Sequence, residues 1–179
     1  MKKRTFISID IPKEIQKEIV KIQEKLPGFI GKKTKPENLH LTLKFLGETE
    51  EEHIYKVTEM LKEIKASKYE TEAKYIGVFS EKFIRIIWIH LTNCNILQEK
   101  IDTALSSLFE KETRFMSHLT IARVKSVKNK KDFLEILQNI EFPKISFIVD
   151  NFRFKESILT KDGPIYKTIE EYKFIDSDI

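Results

Sequence analysis

The amino-acid sequence predicts an α+β fold with antiparallel sheets. Segments whose apolar residues recur at the three-to-four spacing of a buried helix face are interleaved with short runs of alternating apolar and polar residues. Several of these runs follow one another as hairpin-like pairs, which favours antiparallel pairing over a doubly wound parallel sheet. The sequence His-Leu-Thr-Leu at 40–43 recurs as His-Leu-Thr-Ile at 118–121. We therefore expect two similar lobes of roughly 80–90 residues, forming one bilobal domain over residues 1–179.

The composition is that of a globular protein. Hydrophobic residues make up 41% of the 179 positions and charged residues 34%. The net charge of +4 permits an anionic substrate without indicating a protein that coats nucleic acid. The single cysteine, Cys94, excludes an intramolecular disulfide and a cysteine-rich zinc site. The apolar run at 6–11 is too short for a signal peptide, and no run approaches the roughly 18 residues of a membrane span. We expect a cytoplasmic monomer that does not enter a membrane.

The first part of the chain alternates as a strand over 4–11, and a helix is expected to begin near Pro12. The apolar stripe of this helix consists of Ile15, Ile19, Ile22 and Leu26. Residues 31–37 read as a short strand or a loop. The strand over 39–46 then carries the first motif, and Gly47 is expected to end it.

The middle of the chain is expected to form a helix at 50–65, because acidic residues in its first turn suit the helix macrodipole. Its inward residues are predicted to be Ile54, Val57, Leu61 and Ile64. Strands at 69–78 and 85–91 follow, joined by a hairpin loop at 79–83. The next helix, at 95–109, has the stripe Ile96, Leu97, Ile101, Leu105 and Leu108.

A charged linker leads from this helix into the second motif strand, at 117–124. The remaining elements are predicted, in order, as a basic loop at 125–131, a helix at 131–139, one long strand at 145–154, a turn at 161–164 and a last strand at 166–174.

The two motifs carry the candidate chemistry. Side chains in a strand alternate between faces, so His40 and Thr42 point to one face while the neighbouring leucines point to the core. His118 and Thr120 point together in the same way. If the two lobes bring these faces together, a cleft contains two imidazoles and two hydroxyls. Such a set suffices for acid–base chemistry on a phosphate without a metal.

In their sequence context the motifs resemble the 2H phosphoesterase superfamily, which is named for two His-x-Thr-x motifs. Within it, the chain is similar to the bacterial and archaeal RNA 2',3'-cyclic phosphodiesterases, once called 2'-5' RNA ligases. The matching pieces lie at 4–12, 36–47, 76–79, 84–88, 118–125 and 157–166. The resemblance implies two pseudo-symmetric lobes, each with an antiparallel sheet and helices, and an active-site groove between them.

The same resemblance implies hydrolysis of RNA or nucleoside 2',3'-cyclic phosphates to 2'-phosphomonoesters, with no metal and no cofactor. His40 would be the proton donor and His118 the proton acceptor, an assignment that the nearly symmetric residues alone do not make. Thr42 and Thr120 would stabilise the non-bridging oxygens. The implied partners are RNA or nucleotides with 2',3'-cyclic phosphate ends, with tRNA halves as a further candidate.

Four more residues are candidate substrate contacts. Lys44 shares the parity of His40 and is expected either to face the groove and favour an anion or to lie on a solvated surface. Arg123 has the opposite parity to His118, so a buried salt bridge near the strand end is the alternative to substrate contact. Phe45 and Tyr166 could stack on a base, although core packing is the expected role of Phe45.

Other polar residues have simpler interpretations. His53 and His90 are expected to be structural. The lysine clusters at 32–35 and 125–131 could guide an RNA backbone, or could be solvated surface in a lysine-rich protein. A two-histidine zinc site is disfavoured because no carboxylate or cysteine lies at ligand spacing from either motif.

Two other functions share this pattern. The first is the reverse reaction, ligation of tRNA halves through a 2'-5' linkage, which would use the same residues. The second is a non-catalytic module that binds RNA or nucleotides on the same fold. The intact histidine and threonine in both motifs favour a catalyst over such a module.

Overall fold

A computed structural model describes residues 1–175 and confirms the α+β fold. The helices are α1 (Lys13–Glu24), α2 (Glu51–Lys62), α3 (Asn95–Ala104) and α4 (Lys130–Gln138). The strands are β1 (Lys2–Asp10), β2 (Ile30–Lys33), β3 (His40–Glu50), β4 (Tyr69–Val78), β5 (Ile86–Leu91), β6 (His118–Ser126), β7 (Ile145–Val149), β8 (Asn151–Thr160) and β9 (Gly163–Lys173). None of the helices in this part of the chain has the length and apolar character needed to cross a membrane.

The strands form one sheet in the order β7-β4-β5-β6-β3-β1-β8-β9, and β2 pairs with β6. The motif strands β3 and β6 are neighbours at its centre, joined in register at Leu41 and Leu119. Three strands flank each of them on the outer side: β1, β8 and β9 beside β3, and β5, β4 and β7 beside β6. Each half of the sheet is therefore built from segments that are far apart in the chain. The two separate sheets expected from the sequence are joined into one.

The helices cover the leucine face of this sheet. One hydrophobic cluster joins residues of all four helices, among them Ile19, Leu61, Ile101 and Leu137, to Leu41 and Leu119. Burial of this shared apolar face is the main contribution to holding the two halves together. Because His40 and His118 point away from this cluster, they lie on the face of the central strands opposite the helices.

Two predicted strand boundaries are wrong. Strand β3 does not end at Gly47 but continues to Glu50, because Gly47 adopts a positive φ of 73° and pairing with β1 resumes at Thr5. The single strand expected at 145–154 is two strands. The chain breaks at Asp150, so that β7 pairs with β4 in one half of the sheet and β8 pairs with β1 in the other.

Helix α3 is shorter than predicted, ending at Ala104 rather than near 109. Ile96, expected in its buried stripe, is 69% exposed, whereas Leu97, Ile101 and Leu105 are buried as predicted. Neighbouring helix residues are turned by about 100° about the axis, so Ile96 points away from the face on which Leu97 is buried.

Candidate active site

Each motif is followed at once by a β-bulge. In the pairing of β1 with β3, Ser8 lies opposite Thr42 and Ile7 opposite Lys44, which leaves Leu43 as an extra residue. In the pairing of β5 with β6, Trp88 lies opposite Thr120 and Ile87 opposite Ala122, which leaves Ile121 as the extra residue. The two bulges occupy equivalent places after the two histidines. Each one reverses the alternation of side chains beyond it.

The first bulge exchanges the faces of Lys44 and Phe45. Lys44 is 7% exposed on the core side, where its Nζ donates to the carboxylate of Asp102 and to the carbonyl oxygen of Glu110. The prediction that Lys44 faces the groove or a solvated surface is therefore wrong. Phe45 is 69% exposed, so its expected core role is wrong as well. Its ring lies 6.3 Å from that of Phe6, beside His40.

The second bulge places Arg123 on the face of His118 and Thr120. Arg123 is exposed and, within residues 1–175, has no carboxylate partner within salt-bridge distance. The buried salt bridge expected from its parity is wrong. Burial lowers the pKa of both His40 and His118, and the positive charge of Arg123 adds to the shift in each.

The two imidazoles are held by the same local contact. Nδ1 of His40 lies 2.7 Å from the carbonyl oxygen of Asn38, and Nδ1 of His118 lies 2.7 Å from that of Met116. A carbonyl oxygen only accepts, so Nδ1 carries the proton in both rings. Nε2 is then the nitrogen that can take up or release a proton. Each motif fixes its own tautomer through the residue two positions before the histidine.

The register at the sheet centre brings the two motifs together. Because the antiparallel pair Leu41 and Leu119 turns its side chains to the core, the neighbours on both strands point to the other face. His40 then lies on the side of Thr120, and Thr42 on the side of His118. Among the described residues, neither threonine hydroxyl has a protein hydrogen-bond partner. Both hydroxyls are free to donate to a ligand.

An aromatic ring stands edge-on to each imidazole. The ring of Tyr166 lies 4.9 Å from that of His40 at 81°, and the ring of Phe79 lies 4.9 Å from that of His118 at 85°. Phe6 also lies 5.1 Å from His40. Phe79 ends the matching piece at 76–79 but is not among the predicted site residues, because nothing in the sequence places this loop beside His118. Its role becomes visible only in the structure, where Phe79 lies against His118 as Tyr166 lies against His40.

Two further side chains flank the histidines across the neighbouring strands. His90 pairs with His118, and its ring stacks on Tyr75 at 5.1 Å. Its Nδ1 lies 2.9 Å from the carbonyl oxygen of Ser117, in keeping with the structural role expected for it. Asp10 pairs with His40 in the equivalent position. Asp10 is not among the predicted site residues, although it shares strand parity with Ser8, which pairs with Thr42.

Asp10 belongs to an ion-pair network on the His40 side. The buried Lys155 donates from Nζ to Asp10 at 2.7 Å. Arg153 binds the same carboxylate and also donates from Nε to Glu171 at 2.8 Å. These cations are matched by carboxylates, so the network adds little net charge to the groove.

Both imidazoles are harder to protonate than a free histidine. The pKa of His40 is lowered to about 4, chiefly by burial and also by the positive charges of Lys155 and Arg123, while the Asn38 carbonyl and Asp10 oppose the shift. Burial and Arg123 also lower the pKa of His118. A bound phosphate would favour the imidazolium form and raise both values. Within residues 1–175, no group of three or more His, Cys, Asp or Glu side chains is placed to hold a metal ion.

An antiparallel sheet covered by helices, with two equivalent His-x-Thr strands at its centre and the exposed Arg123 on the face of the second motif, defines a protein suited to proton transfer on a phosphate ester. A family model described as LigT like Phosphoesterase matches residues 9–88 and 92–166. The chain belongs to this LigT-like phosphoesterase family, which confirms the resemblance seen in its motifs.

Curated relatives match over nearly the whole chain. A Methanocaldococcus jannaschii protein named RNA 2',3'-cyclic phosphodiesterase is 39% identical over 176 residues, covering 94% of this chain and 99% of the relative. A Thermotoga maritima protein of the same name is 36% identical over 180 residues, covering 96% and 95%.

Solved structures share the fold. Protein TT0787 of Thermus thermophilus superposes with a TM-score of 0.80 at 23% identity, covering 97% of this chain and 99% of that one. E. coli LigT complexed with 3'-AMP superposes with a TM-score of 0.79 at 21% identity, covering 98% and 100%. Both similarities confirm the arrangement of helices and strands described above.

Proposed function

We propose that this protein hydrolyses 2',3'-cyclic phosphate ends of RNA or nucleosides to 2'-phosphomonoesters, with His40 and His118 as its acid–base pair. The observation that carries the proposal is the matched pair of imidazoles. Each is held through Nδ1 by a backbone carbonyl, and each is followed by a threonine on the same face. The names of the M. jannaschii and T. maritima relatives support the choice of substrate.

In the proposed reaction Nε2 of His118 takes a proton from water as the water oxygen attacks phosphorus. The bond from phosphorus to O3' breaks, and Nε2 of His40 gives its proton to that leaving oxygen. The ester at O2' stays intact, which leaves a 2'-phosphomonoester. The family resemblance supplies the direction of this assignment. Regeneration requires only that one proton return from His118 to solvent and one reach His40.

Three side chains would stabilise charge on the phosphate. The hydroxyls of Thr42 and Thr120 donate to the non-bridging oxygens, from opposite sides of the groove. Arg123, which has no carboxylate partner in the described part of the chain, pairs with the negative charge. The bound phosphate in turn raises the pKa of His40 from about 4 and so supplies the protonated acid that the reaction needs.

The ring cluster beside His40 suits a nucleobase. Phe45 is largely exposed and Tyr166 half-buried, and the ring of Phe6 lies 6.3 Å from the first and 5.0 Å from the second. A base that stacks on Phe45 or Tyr166 would place its ribose on the His40 side of the phosphorus, where the leaving oxygen needs its proton. Stacking of this kind accepts any base.

The direct test is turnover of a 2',3'-cyclic nucleotide, with the product identified by phosphorus NMR. His40→Ala and His118→Ala should each abolish turnover, while the fold persists because both rings lie outside the core cluster. His53→Ala, at an exposed position on α2, is the matched control and should keep the wild-type rate. Near-normal turnover by the His40→Ala or the His118→Ala protein would overturn the acid–base assignment. A wild-type protein that does not hydrolyse the cyclic nucleotide would overturn the proposed function itself.

One observation favours a second function, 2'-5' ligation. Phe79 stands against His118 as Tyr166 stands against His40, so each side of the phosphorus has a ring that a nucleoside could contact. A nucleoside 5'-hydroxyl held beside Phe79 would take the place of the attacking water. Incubation with cleaved tRNA halves tests this. Appearance of a 2'-5' linkage supports ligation. If the only products are RNA with 2'-phosphate ends, hydrolysis is the single reaction.

A further inference from the structure

A basic and aromatic surface adjoins the His118 side of the groove. It consists of two chain segments, residues 79–85 and 125–132, and we call it the Phe83 surface. Its six basic side chains, all exposed, are Lys82, Arg85, Lys125, Lys128, Lys130 and Lys131. Its two acidic side chains are Glu81 and Asp132. Six positive and two negative charges give +4, which equals the net charge of the whole chain.

The two segments are joined into one surface by hydrogen bonds. Lys130 donates from Nζ to the carbonyl oxygen of Lys82 at 2.6 Å, and Arg85 donates from Nη1 to that of Lys125 at 2.7 Å. Both contacts leave the positive charge without a carboxylate. Within residues 1–175, none of the six cations has a carboxylate within 4 Å, unlike Lys155 and Arg153 on the His40 side.

An exposed aromatic ring lies among these charges. Phe83 is 60% exposed, and the ammonium groups of Lys82 and Lys130 lie 5.4 Å and 5.9 Å from its ring centroid. A ring that is open to solvent and flanked by cations suits a stacked base with phosphates on both sides. The backbone N–H of Phe83 donates to the hydroxyl of Ser80 at 3.2 Å, which shapes the loop that presents the ring.

The same loop touches the catalytic groove. Phe79, four positions before Phe83, is the ring that stands edge-on to His118. Four residues span at most about 14 Å of extended chain, so Phe83 is within a few nucleotides of the reacting phosphate. The surface is therefore an extension of the groove rather than a separate site.

We infer that the Phe83 surface binds the RNA strand beyond the reacting nucleotide, with one base stacked on Phe83 and the adjacent phosphates on Lys82 and Lys130. This inference rests on the proposed function and specifies its substrate as an RNA end rather than a free cyclic nucleotide. The cations supply affinity without reading sequence, so the preference is for length and not for particular bases.

The test compares two substrates. One is a 2',3'-cyclic mononucleotide, and the other is an RNA of about ten nucleotides with a 2',3'-cyclic phosphate end. The wild-type protein should have a higher kcat/KM on the RNA. Lys82→Glu combined with Lys130→Glu should lower kcat/KM on the RNA on the order of 10- to 100-fold and mononucleotide turnover by less than about twofold. Phe83→Ala should lower the RNA value on the order of 5- to 100-fold.

The matched controls lie on the helices. Lys17→Glu combined with Lys25→Glu makes the same change of net charge at exposed positions of α1 and its C-cap, and Tyr55→Ala removes an exposed ring of α2. These variants should keep the RNA preference. Each cation that no longer binds a phosphate should also reduce the slope of log kcat/KM against log salt by about 0.7 on the RNA. Equal effects of the Phe83-surface variants on both substrates, or of the control variants on the RNA, would overturn the inference and leave the hydrolysis itself intact.

Binding separates this inference from the proposed function. Fluorescence anisotropy with an uncleavable RNA of the same length, ending in a 3'-phosphate, needs no turnover. Weaker binding by the Lys82→Glu, Lys130→Glu protein than by the α1 control supports the RNA surface even if cyclic phosphate is not hydrolysed. Equal binding by both variants, or binding to anionic lipid vesicles in place of RNA, would overturn it.

Discussion

The imidazoles of His40 and His118 differ from free histidine in the pH at which they take up a proton. Hydrolysis needs one ring protonated and the other neutral. In the free protein that state is most populated between the two pKa values, and both are lowered from 6.5, that of His40 to about 4. The limbs of the pH profile belong to the coupled pair rather than to either residue.

We therefore expect kcat/KM on a cyclic nucleotide to be bell-shaped, with its basic limb below pH 6.5. Bound phosphate favours the imidazolium form, so the basic limb of kcat should lie at higher pH than that of kcat/KM. Steady-state rates between about pH 4 and 9 measure both limbs. A rate that rises with pH and then levels off, with no basic limb, would contradict the two-histidine mechanism.

The hydroxyls of Thr42 and Thr120 are expected to stabilise the transition state and to contribute little to binding of the substrate in its ground state. Thr42→Ala and Thr120→Ala should each lower kcat on the order of 10- to 1,000-fold, because each removes one donor to a phosphate oxygen. Thr42→Ser and Thr120→Ser keep the hydroxyl and should retain most of the rate. Serine variants as slow as the alanine variants would show that the methyl group, and hence packing, is what matters.

At the scale of elements, the bulges at Leu43 and Ile121 decide which side chains reach the groove. The alternation rule correctly places the histidines, the threonines and the buried leucines before each bulge. The rule fails for Lys44, Phe45 and Arg123, which follow the bulges. A bulge adds one residue without any composition signal, because Leu43 and Ile121 are ordinary strand residues. The two bulges can be seen only from the register with β1 and β5. That register depends on contacts between distant parts of the chain.

Lys44 gives a test of the bulge that follows the first motif. Its buried ammonium group holds Asp102, which also accepts from Gln98 and from the backbone of Glu112. Lys44→Met leaves this carboxylate buried without its cation and should lower the free energy of unfolding by about 3 kcal/mol. The KM for a cyclic nucleotide should not change, because the side chain points to the core.

Urea denaturation of Lys44→Met beside Lys17→Met, an exposed position on α1, measures the loss of stability. A raised KM with unchanged stability would instead place Lys44 in the groove, as the alternation rule alone suggests.

At the scale of the whole molecule, the sequence predicts the α+β class and most elements, because amphipathic helices and alternating strands have local signatures. The sequence does not show that β8 pairs with β1 and carries β9 with it, whereas β7 pairs with β4 in the other half of the sheet. The break at Asp150 separates two apolar strands that read as one. Strand order depends on contacts between distant segments, and these have no periodicity to read.

The assembled site also makes a prediction about metals. If His40 and His118 carry both proton transfers, hydrolysis should continue at the full rate in the presence of EDTA. The measurement is turnover of a cyclic nucleotide before and after dialysis against the chelator. Loss of activity that a divalent ion restores would assign the chemistry to a metal-bound water instead.

The junction between β3 and β6 has one registered pair, Leu41 with Leu119. A long ladder of backbone hydrogen bonds would fix the separation of two strands at a constant value. Here the ladder is minimal, and the two leucines are fully buried among side chains from the helices. Away from this one pair, the spacing of the two strands depends on how the buried leucines pack against the helices. A larger or smaller side chain at Leu41 or Leu119 is therefore expected to change the width of the groove between the histidines, although neither side chain lies on the face of the histidines.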